Sequence, residues 1–499
     1  MKKYVCLFLA LLILITLAAA CGDSSNSGKS DDTTALDSTA DTTELGETRP
    51  PLTVPKIDYG GYKFKILSIN TTVTGNSTSV NSYYYSDFID VPERVGEPIN
   101  DAVYARNLKI LEDYNVEIVT TEVALANIYT ESRKFIQSGE NFYDIVTPLI
   151  DESFKLAQEK FIYNLYNIPY LELSNPWWDQ VLIEKLSLNN KLFTITGDIS
   201  THDEELNWCL IANKVLLEQN GLIDTYDVIK AGKWTFDYVH KMGVNVTRDL
   251  NGDGILDHND LYAFGNSYEG GQFFYFASGE NIAALDKDGY PQLTIGKERA
   301  VNVMDKIVQI YNDTNFMLWA NNMKSVDNPW GYFRTMFKEN RLMILMTNIY
   351  AIKELRDMFD DFAIFPPPKY EETQDNYYTI VATHACYGIC VPVTVTELER
   401  TGILLEAMAY YSKPIQEAHL DVTITGKFLR DEESRDMLEI IFENRTYDIG
   451  KAFGWGEYIS QMFVAVRDNK GFAALAEANK TKAEAEIKKS FDIFTEIDT

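Results

Sequence analysis

The sequence predicts an α/β fold, and two observations support this prediction. The chain has 499 residues, of which 45% are hydrophobic and 24% are charged, which is typical of a globular protein with a large core. From residue 61 onward, two kinds of segment follow one another along the chain. Short runs that are apolar, or in which apolar and polar residues alternate, favour strands; longer runs have apolar residues at helical spacing. This repetition predicts a parallel sheet covered by helices, and ligands of such sheets bind beyond the carboxyl ends of the strands.

The first unit of this pattern lies between residues 62 and 147. Residues 62–68, 115–120 and 143–147 are alternating or continuously apolar, which predicts three strands. Residues 100–114 and 128–138 have apolar residues near helical spacing, so we predict two helices between these strands.

A second unit begins near residue 205. Thr235 is predicted to cap the N-terminus of a helix that begins in the tract 234–237. Apolar runs predict the other strands, which are 206–212, 341–346, 361–365 and 387–391. Helical spacing predicts the other helices, which are 214–220, 297–312, 328–340, 397–412, 430–444, 456–468 and 471–494.

The N-terminus has the order of a secretory signal. Lys2 and Lys3 precede an apolar run over 5–17, and small residues follow at 18–20. The apolar run is short for a helix that spans a membrane. Cys21 comes directly after the small residues, as in a bacterial lipobox, although Ala stands three places before it where Leu is more usual. We predict a signal peptide over 1–20 and a lipidated Cys21; the alternatives are an ordinary signal or an uncleaved anchor.

Residues 21–56 are rich in Ser, Thr, Asp and Gly and poor in apolar residues. Such a segment cannot bury enough apolar surface to fold. We therefore predict a disordered tether between the lipidated Cys21 and a folded body.

Charge and cysteine usage narrow the classes of partner. Acidic residues outnumber basic ones by 74 to 45, and a net charge of -29 disfavours nucleic acid and electrostatic docking to anionic lipid. The three cysteines beyond the leader, Cys209, Cys386 and Cys390, are an odd number, so we predict buried free thiols instead of a disulfide framework.

The Asp-rich tract 249–260 matches a twelve-residue calcium loop at its first, third and fifth positions, with Gly254 at the sixth for the sharp turn. Its last position is Asp260 where a Glu is usual, and the shorter side chain predicts weak affinity. The alternative is a solvated turn rich in Asp and Asn. We predict a structural Ca²⁺ site with ligands Asp249, Asn251, Asp253, Ile255 through its carbonyl, Asp257 and Asp260.

Several tracts, taken in order, resemble the extracellular solute-binding proteins of ABC importers, in the family whose best-known members bind maltose and other oligosaccharides. Beside the lipobox and the Asp-rich loop, the tracts are 143–146 (YDIV), 175–179 (NPWWD), 196–200 (TGDIS), 232–237 (GKWTFD), 336–340 (MFKEN), 365–369 (FPPPK) and 453–457 (FGWGE).

The resemblance implies a two-lobed, type II periplasmic-binding-protein-like fold with the ligand cleft between lobes joined by hinge strands. The implied division is 57–203 with 368–422 for lobe one and 204–367 with 423–495 for lobe two. Pro366–Pro368 would mark a hinge crossing, because fixed φ angles limit flexing to a few bonds.

The resemblance also implies a function. It implies a lipid-anchored, monomeric receptor on the extracellular face of the bacterial cell membrane, which captures an oligosaccharide or other small solute by lobe closure and delivers it to ABC permease subunits. No His-Glu-x-x-His motif and no Gly-x-Ser-x-Gly elbow occurs in the sequence, and we predict that the protein is not an enzyme. The alternative is a secreted carbohydrate-active enzyme of the glycoside hydrolase type with a structural calcium loop.

Aromatic rings pack on the C–H faces of sugars, and polar side chains bind the hydroxyls. Trp177 and Trp178 follow a proline, which predicts that at least one of them is exposed, whereas Trp208 and Trp234 are predicted to be core residues. For each aromatic candidate, including Trp177 and Trp178, the alternative is core packing. The predicted ligand-binding residues are Trp177, Trp178, Asp203, Glu205, Tyr268, Gln272, Asn348, Tyr350 and Trp455.

Overall fold

The structure is a computed structural model that describes residues 49–70, 91, 93–355, 358–420 and 432–497. The predicted signal peptide, Cys21 and most of the predicted tether lie outside these residues. Contacts divide the chain into residues 1–49 and 50–499, and the second unit contains all the elements described below.

Twelve strands are formed by the described residues. In chain order they are β1 (Tyr62–Asn70), β2 (Val116–Ala124), β3 (Ile145–Val146), β4 (Trp208–Asn213), β5 (Tyr262–Asn266), β6 (Ala283–Leu285), β7 (Pro291–Leu293), β8 (Met317–Trp319), β9 (Leu342–Asn348), β10 (Phe362–Phe365), β11 (Thr379–Ile380) and β12 (Arg445–Thr446).

The α-helices of the described residues cover these strands or connect them. They are α1 (Pro98–Tyr114), α2 (Ile128–Gln137), α3 (Ile150–Gln158), α4 (Gln180–Leu186), α5 (His202–Glu205), α6 (Lys214–Gln219), α7 (Thr225–Lys230), α8 (Phe236–Gly243), α9 (Gly271–Ala277), α10 (Glu298–Tyr311), α11 (Pro329–Lys338), α12 (Leu398–Tyr411), α13 (Lys413–Glu417), α14 (Glu432–Glu443), α15 (Ile449–Phe453), α16 (Tyr458–Arg467) and α17 (Phe472–Glu496).

Sheet one has the strand order β2-β1-β3 and is parallel throughout. β1 and β2 pair over their full lengths, from Tyr62 opposite Val116 to Asn70 opposite Ala124. Two parallel neighbours need a crossover, and α1 supplies it, with Pro98 in its first turn and Glu97 accepting a hydrogen bond from the Ile99 N–H. The parallel sheet predicted from the first unit is therefore confirmed.

Sheet two has the order β10-β4-β9-β5-β8 and is mixed. β9, β5 and β8 run parallel, whereas β4 is antiparallel to both of its neighbours. Every residue of β9 and β5 is buried, as expected for central strands covered on both faces. Because β4 runs in the opposite direction, its first residue, Trp208, pairs with Asn348 at the carboxyl end of β9.

Three chain segments lie side by side where the chain passes between the two sheets, and we call them the crossing: residues 206–208, 379–382 and 445–447. Asn207 bridges Val381, and β11 pairs in parallel with β12. The Ala382 N–H also donates to the Leu206 carbonyl at 3.1 Å. The crossing is thus a set of short paired segments.

Pro366–Pro368 lies apart from the crossing, which differs from the predicted hinge position. These prolines are buried, and the Trp234 indole N–H donates to the Pro366 carbonyl at 2.9 Å. The Phe236 N–H donates to the Lys369 carbonyl at 2.8 Å. The proline run is therefore fixed to the start of α8, where Thr235 caps the helix as predicted and Trp234 is fully buried as predicted.

The predicted strand 387–391 does not form a continuous ladder. It contributes isolated bridges instead, from Tyr387 to Leu149, from Ile389 to Ile195 and from Cys390 to Val146. These bridges extend sheet one beyond β3. Cys209, Cys386 and Cys390 are buried and free, as predicted.

The C-terminal helix α17 has 25 residues, a length of about 37 Å. At its start the Phe472 N–H donates to Asp305 of α10, and near its end Phe494 packs on Phe193 with ring centroids 4.6 Å apart. One helix thus contacts both predicted lobes. No helix of the described residues is long and apolar enough to cross a bilayer.

Candidate functional site

A cavity of about 560 Å³ lies at the edge of sheet two that faces sheet one. It is lined by residues beside sheet one, by residues beside sheet two and by residues of the C-terminal segment. The lining includes Asp151 and His384 beside sheet one, Trp208, Glu269, Gln272, Phe273 and Trp330 beside sheet two, and Lys451, Trp455 and Glu457 from the C-terminal segment.

The aromatic wall of the cavity is built on Trp208. Its ring stacks on Phe273 with centroids 3.6 Å apart and an interplanar angle of 23°, so one face is supported by the protein. Trp208 is half-buried, and Trp330 at the start of α11 is 40% exposed. An indole supported on one face and accessible elsewhere loses little entropy when it packs on a flat ligand.

The polar groups of the cavity include three buried atoms without a hydrogen-bond partner among the described residues: the Trp208 Nε1, the Gln272 Oε1 and the Asp151 Oδ1. Gln272 is only 5% exposed, and its Nε2 donates to the Glu269 carbonyl at 3.2 Å, which fixes the direction of the amide. A buried polar atom left unpaired costs about 1–3 kcal/mol. One N–H donor and two oxygen acceptors in one cavity are therefore poised for a polar ligand.

Lys451 connects the C-terminal segment to the sheet-one side of the cavity. Its Nζ lies 2.5 Å from the Thr383 Oγ1 and 3.6 Å from the Asp151 Oδ2, and the side chain is almost fully buried. The His384 side chain is exposed. Partial desolvation by the surrounding protein atoms, together with the nearby Lys451 ammonium, lowers the pKa of its imidazole below the ordinary value of about 6.5, so the neutral form predominates at pH 7.

Two of the predicted ligand-binding residues, Gln272 and Trp455, line the cavity. Trp455 is 2% exposed, stacks on Phe453 with centroids 4.6 Å apart, and donates from its Nε1 to the Ser490 Oγ at 3.0 Å. It forms part of the cavity floor and belongs to the core at the same time. Truncating it would therefore lower stability as well as reshape the cavity.

Three further predicted residues lie close to this edge without lining the cavity. Tyr268 is half-buried and meets Trp319 edge to face at 6.0 Å. Asn348, at the end of β9, is 6% exposed and accepts a hydrogen bond from the Ala351 N–H, and Tyr350 follows it half-buried.

Trp177 and Trp178 belong to the core, so the prediction that at least one is exposed is wrong. Each is 1% exposed. Both indole N–H groups donate to the carboxylate of Glu406 on α12, at 3.1 and 2.9 Å. Neither tryptophan lines the cavity. A buried acceptor on a distant helix holds them inside, and the local sequence does not reveal such an acceptor.

Asp203 and Glu205 are also buried, at 2% and 1% exposure, and neither lines the cavity. Asp203 accepts from the Thr196 Oγ1 at 3.2 Å, and the Glu205 Oε1 lies 3.6 Å from the His419 Nδ1. Their position near the crossing is as predicted, but their carboxylates face protein groups there. We therefore do not place them in contact with a ligand.

Asp203 and Glu204 belong to a buried charged cluster beside the crossing, together with Asp179 and Arg445. The Arg445 Nε lies 3.2 Å from the Asp179 Oδ2, which also accepts from the Tyr447 hydroxyl at 2.7 Å. Burial raises the pKa values of Asp203 and Glu204, and the neighbouring carboxylates add to this effect. The Arg445 guanidinium therefore pairs with Asp179, and its positive charge also acts on Asp203 and Glu204.

This cluster predicts that stability falls as the pH rises from about 4 toward 8. Asp203 and Glu204 keep protons in the folded protein that the unfolded chain releases near its ordinary values of about 4, so the folded state binds more protons in that interval. Urea unfolding at pH 5, 7 and 9 measures the slope. We expect Glu204→Gln to flatten it and the exposed Glu184→Gln to leave it unchanged; equal slopes for Glu204→Gln and the wild type would contradict this prediction.

The sequence prediction missed Trp208, Asp151, Trp330, His384 and Lys451. Trp208 stands in an apolar run that predicts a core residue. Only the antiparallel direction of β4 places it at the edge of sheet two that borders the cavity. Asp151 lies just beyond β3, and the rule that ligands bind beyond the carboxyl ends of parallel strands was sufficient to find it.

The Asp-rich loop is exposed and folded by its own side chains. Asp249 accepts from the N–H groups of Gly252 and Gly254, and Asp253 accepts from the Ile255 N–H at 2.8 Å. Gly254 has φ 77°, which fits the predicted sharp turn. Asp260 is fully buried, and its two oxygens accept from the Leu250 and Asp257 N–H groups at 2.9 Å each.

The carboxylates of this loop are all engaged with backbone amides: both oxygens of Asp249 and of Asp260 accept such bonds, and so do Asp253 and Asp257. Within the described residues, no three His, Cys, Asp or Glu side chains are grouped to hold a metal ion. Of the predicted ligands, Asp260 is fully buried, whereas Asp249, Asn251, Asp253 and Ile255 are exposed and Asp257 is half-buried.

No family model and no curated protein matches the sequence. Solved structures do match. One is the maltose/maltodextrin-binding domain MalE from Bdellovibrio bacteriovorus bound to maltotriose, with a TM-score of 0.53 and 14% identity, over 85% of this chain and 100% of that one. Another is an ABC substrate-binding protein from Listeria monocytogenes in complex with cycloalternan, with a TM-score of 0.53 and 11% identity, over 86% of this chain and 99% of that one.

A third match is a family 1 extracellular solute-binding protein from Bifidobacterium longum subsp. infantis, with a TM-score of 0.52 and 12% identity, over 88% of this chain and 100% of that one. This chain has the fold of ABC-transporter solute-binding proteins. The two-lobed, type II class predicted from the sequence is thereby confirmed. Proteins with the solute-binding-protein fold close by a hinge around their ligands, and the cavity described above lies where groups from both sheets meet.

Proposed function

We propose that this protein is an extracellular receptor that captures an oligosaccharide between its lobes. The observation that supports this most directly is the cavity itself. It combines indole rings of Trp208 and Trp330 with unpaired polar atoms of Asp151 and Gln272. Flat apolar faces beside isolated hydrogen-bonding groups are what a ring of C–H and O–H groups requires. Two of the matching structures are described as holding maltotriose and cycloalternan, which agrees with this ligand class.

Ligand binding in the cavity would be coupled to the arrangement of the lobes on either side of the crossing. A ligand that contacts both walls of the cavity stabilises the closed arrangement of the lobes more than the open one, and such a difference in affinity is what shifts a conformational equilibrium. We further propose that the closed form delivers the solute to ABC permease subunits. In this proposal the protein acts as a monomer, anchored through a lipid on Cys21 at the extracellular face of the bacterial cell membrane.

The experiment is a panel of neutral oligosaccharides screened by thermal melting. Ligands that bind only the folded state must raise the melting temperature. We expect a shift with at least one compound and no release of reducing ends on long incubation. No shift across the panel would contradict the receptor proposal, and released reducing ends would support the alternative of a glycoside hydrolase.

We also propose that the loop 249–260 binds Ca²⁺ as a structural ion. Ca²⁺ is expected to raise the melting temperature relative to chelator, because the carboxylates of this exposed loop repel one another without an ion. Asp253→Ala is expected to remove the effect. The exposed Asp288→Ala, outside the loop, serves as the control. Superimposable melting curves of the wild type with Ca²⁺ and with chelator would refute the proposal.

A further inference from the structure

We infer that Asp151, held in position by Lys451, makes this cavity select saccharides that present hydroxyl or amino donors and reject those that present a carboxylate. The inference rests on the proposed function, since it assumes that the cavity binds a saccharide. It adds the charge class of that saccharide and the residue that determines it.

Asp151 is oriented by Lys451. The residue lies in the first turn of α3, beyond the carboxyl end of β3. Its Oδ2 lies 3.6 Å from the Lys451 Nζ, whereas its Oδ1 is buried and has no hydrogen-bond partner among the described residues. One oxygen of the carboxylate is therefore held by the lysine, and the other lacks the donor that a ligand hydroxyl or amino group would supply.

Lys451 is not available to an anion. Its side chain is buried and its ammonium already contacts the Thr383 hydroxyl and Asp151. A ligand carboxylate would have to break these contacts to reach the ammonium, and nothing else would then compensate the charge of Asp151. The lysine therefore positions Asp151 and does not itself recognise the ligand.

Carboxylates outnumber cationic side chains in the described lining of the cavity. Asp151, Glu269 and Glu457 contribute carboxylates, and Lys451 is the one cationic side chain among the described lining residues, because His384 is neutral at pH 7. Of the three unpaired polar atoms of the described lining, the oxygens of Asp151 and Gln272 are acceptors and the Trp208 Nε1–H is a donor. A hydroxyl or amino group satisfies the acceptors, whereas a carboxylate places like charges together in a partly dry cavity. The net charge of -29 adds long-range repulsion of anions.

The experiment compares neutral saccharides with their acidic and basic counterparts. The probes are maltotriose, cellotriose and β-1,4-galactotriose, the same three compounds oxidised to the carboxylate at C6, and the glucosamine trisaccharide, each titrated at pH 7 and low salt. For every neutral probe that binds, we expect the wild type to bind the oxidised form at least about ten-fold more weakly. The glucosamine trisaccharide is expected to bind at least as tightly as cellotriose.

Variants assign the effect to Asp151. Asp151→Asn is expected to weaken binding of the neutral probe. It should also reduce the ratio of the neutral-probe affinity to the oxidised-probe affinity by at least about three-fold, because the repelling charge is gone. Glu117→Gln is the control: this carboxylate on β2 is exposed, lies 3.2 Å from the Lys63 Nζ and does not line the cavity, so the difference in affinity between the neutral and the oxidised probe should persist. Lys451→Met should weaken binding of the neutral probe and increase the ratio of the neutral-probe affinity to the oxidised-probe affinity. If Lys451 had only a structural role, the variant would weaken binding of both probes equally.

The outcomes separate the inference from the proposed function. If neutral and oxidised probes bind the wild type equally well, or if Asp151→Asn leaves the ratio of their affinities unchanged, the inference is wrong while the receptor proposal stands. If neither these probes nor any compound of the oligosaccharide panel binds the wild type, the proposed function fails and the inference fails with it.

Discussion

Replacing Trp208 with alanine is expected to weaken binding of the saccharide identified by the melting screen by about 30- to 100-fold, or about 2–3 kcal/mol. The ring is held on Phe273 at a centroid distance of 3.6 Å, so it is already ordered before the ligand arrives. Its removal takes away the stacking face and the unpaired Nε1–H together. The fold should persist, because Trp208 is only half-buried at the edge of sheet two.

Two further substitutions make this prediction specific. Trp208→Phe keeps a ring but removes the Nε1–H, so it should lose only part of the affinity, and the difference reports the hydrogen bond. Trp234 is fully buried, and its indole N–H donates to the Pro366 carbonyl. Trp234→Phe should therefore lower stability. It should leave the affinity for the saccharide unchanged when this is measured well below the melting temperature of the variant. Isothermal titration on the folded variants measures all three. An unchanged affinity of Trp208→Ala would remove this residue from the site.

The sequence was sufficient to predict most of the helices and strands, because each depends on local periodicity. The strands around Tyr62, Trp208 and Leu342 and the helix capped by Thr235 are where the pattern places them. The segment 387–391 shows the limit of such a pattern: its apolar run is that of a buried strand, but only single bridges to residues such as Val146 and Ile195 form.

The site was less predictable, because it depends on pairings between distant segments. Trp177 and Trp178 have the local sequence of an exposed tract, yet Glu406, more than two hundred residues away, turns both indoles inward. Trp208 has the local sequence of a core strand, yet its antiparallel register against Asn348 places it at the edge of sheet two that borders the cavity. In both cases long-range pairing overrides the local sequence signal. Gln272, which the sequence also indicated, lines the cavity because its glycine-bearing turn directly follows β5.

The tract 175–179, which contributed to the family resemblance, has a structural role. Trp178 and Gly197 form an antiparallel bridge, so this tract packs against the tract 196–200. Gly197 has φ 150°, and a Cβ there would lie 2.2 Å from the Trp177 carbonyl oxygen, so the close approach requires glycine. The pair of tracts forms a compact corner of the protein, and Glu406 is the acceptor at its centre.

Replacing Glu406 with alanine is therefore expected to lower the free energy of unfolding by at least about 3 kcal/mol, the largest stability effect that we predict for a single side chain here. Its carboxylate is fully buried and accepts from both indole N–H groups, from the Asn175 side-chain amide and from the Glu172 N–H. Alanine would leave these donors buried without an acceptor and would open a cavity between α12 and the tract 175–179.

Urea unfolding measures this loss, and the same helix provides the control. Glu399 also lies on α12 but is exposed, so Glu399→Ala should change stability by no more than about 0.5 kcal/mol. Glu406→Gln fills the volume but replaces one acceptor oxygen by an amide donor that faces donors, so its loss should lie between those of the wild type and Glu406→Ala. If Glu406→Ala were as stable as Glu399→Ala, the hydrogen bonds to Trp177 and Trp178 would not be what holds them inside. Their burial would then have to come from packing alone, as in the edge-to-face contact of Trp177 with Tyr410 at 5.2 Å.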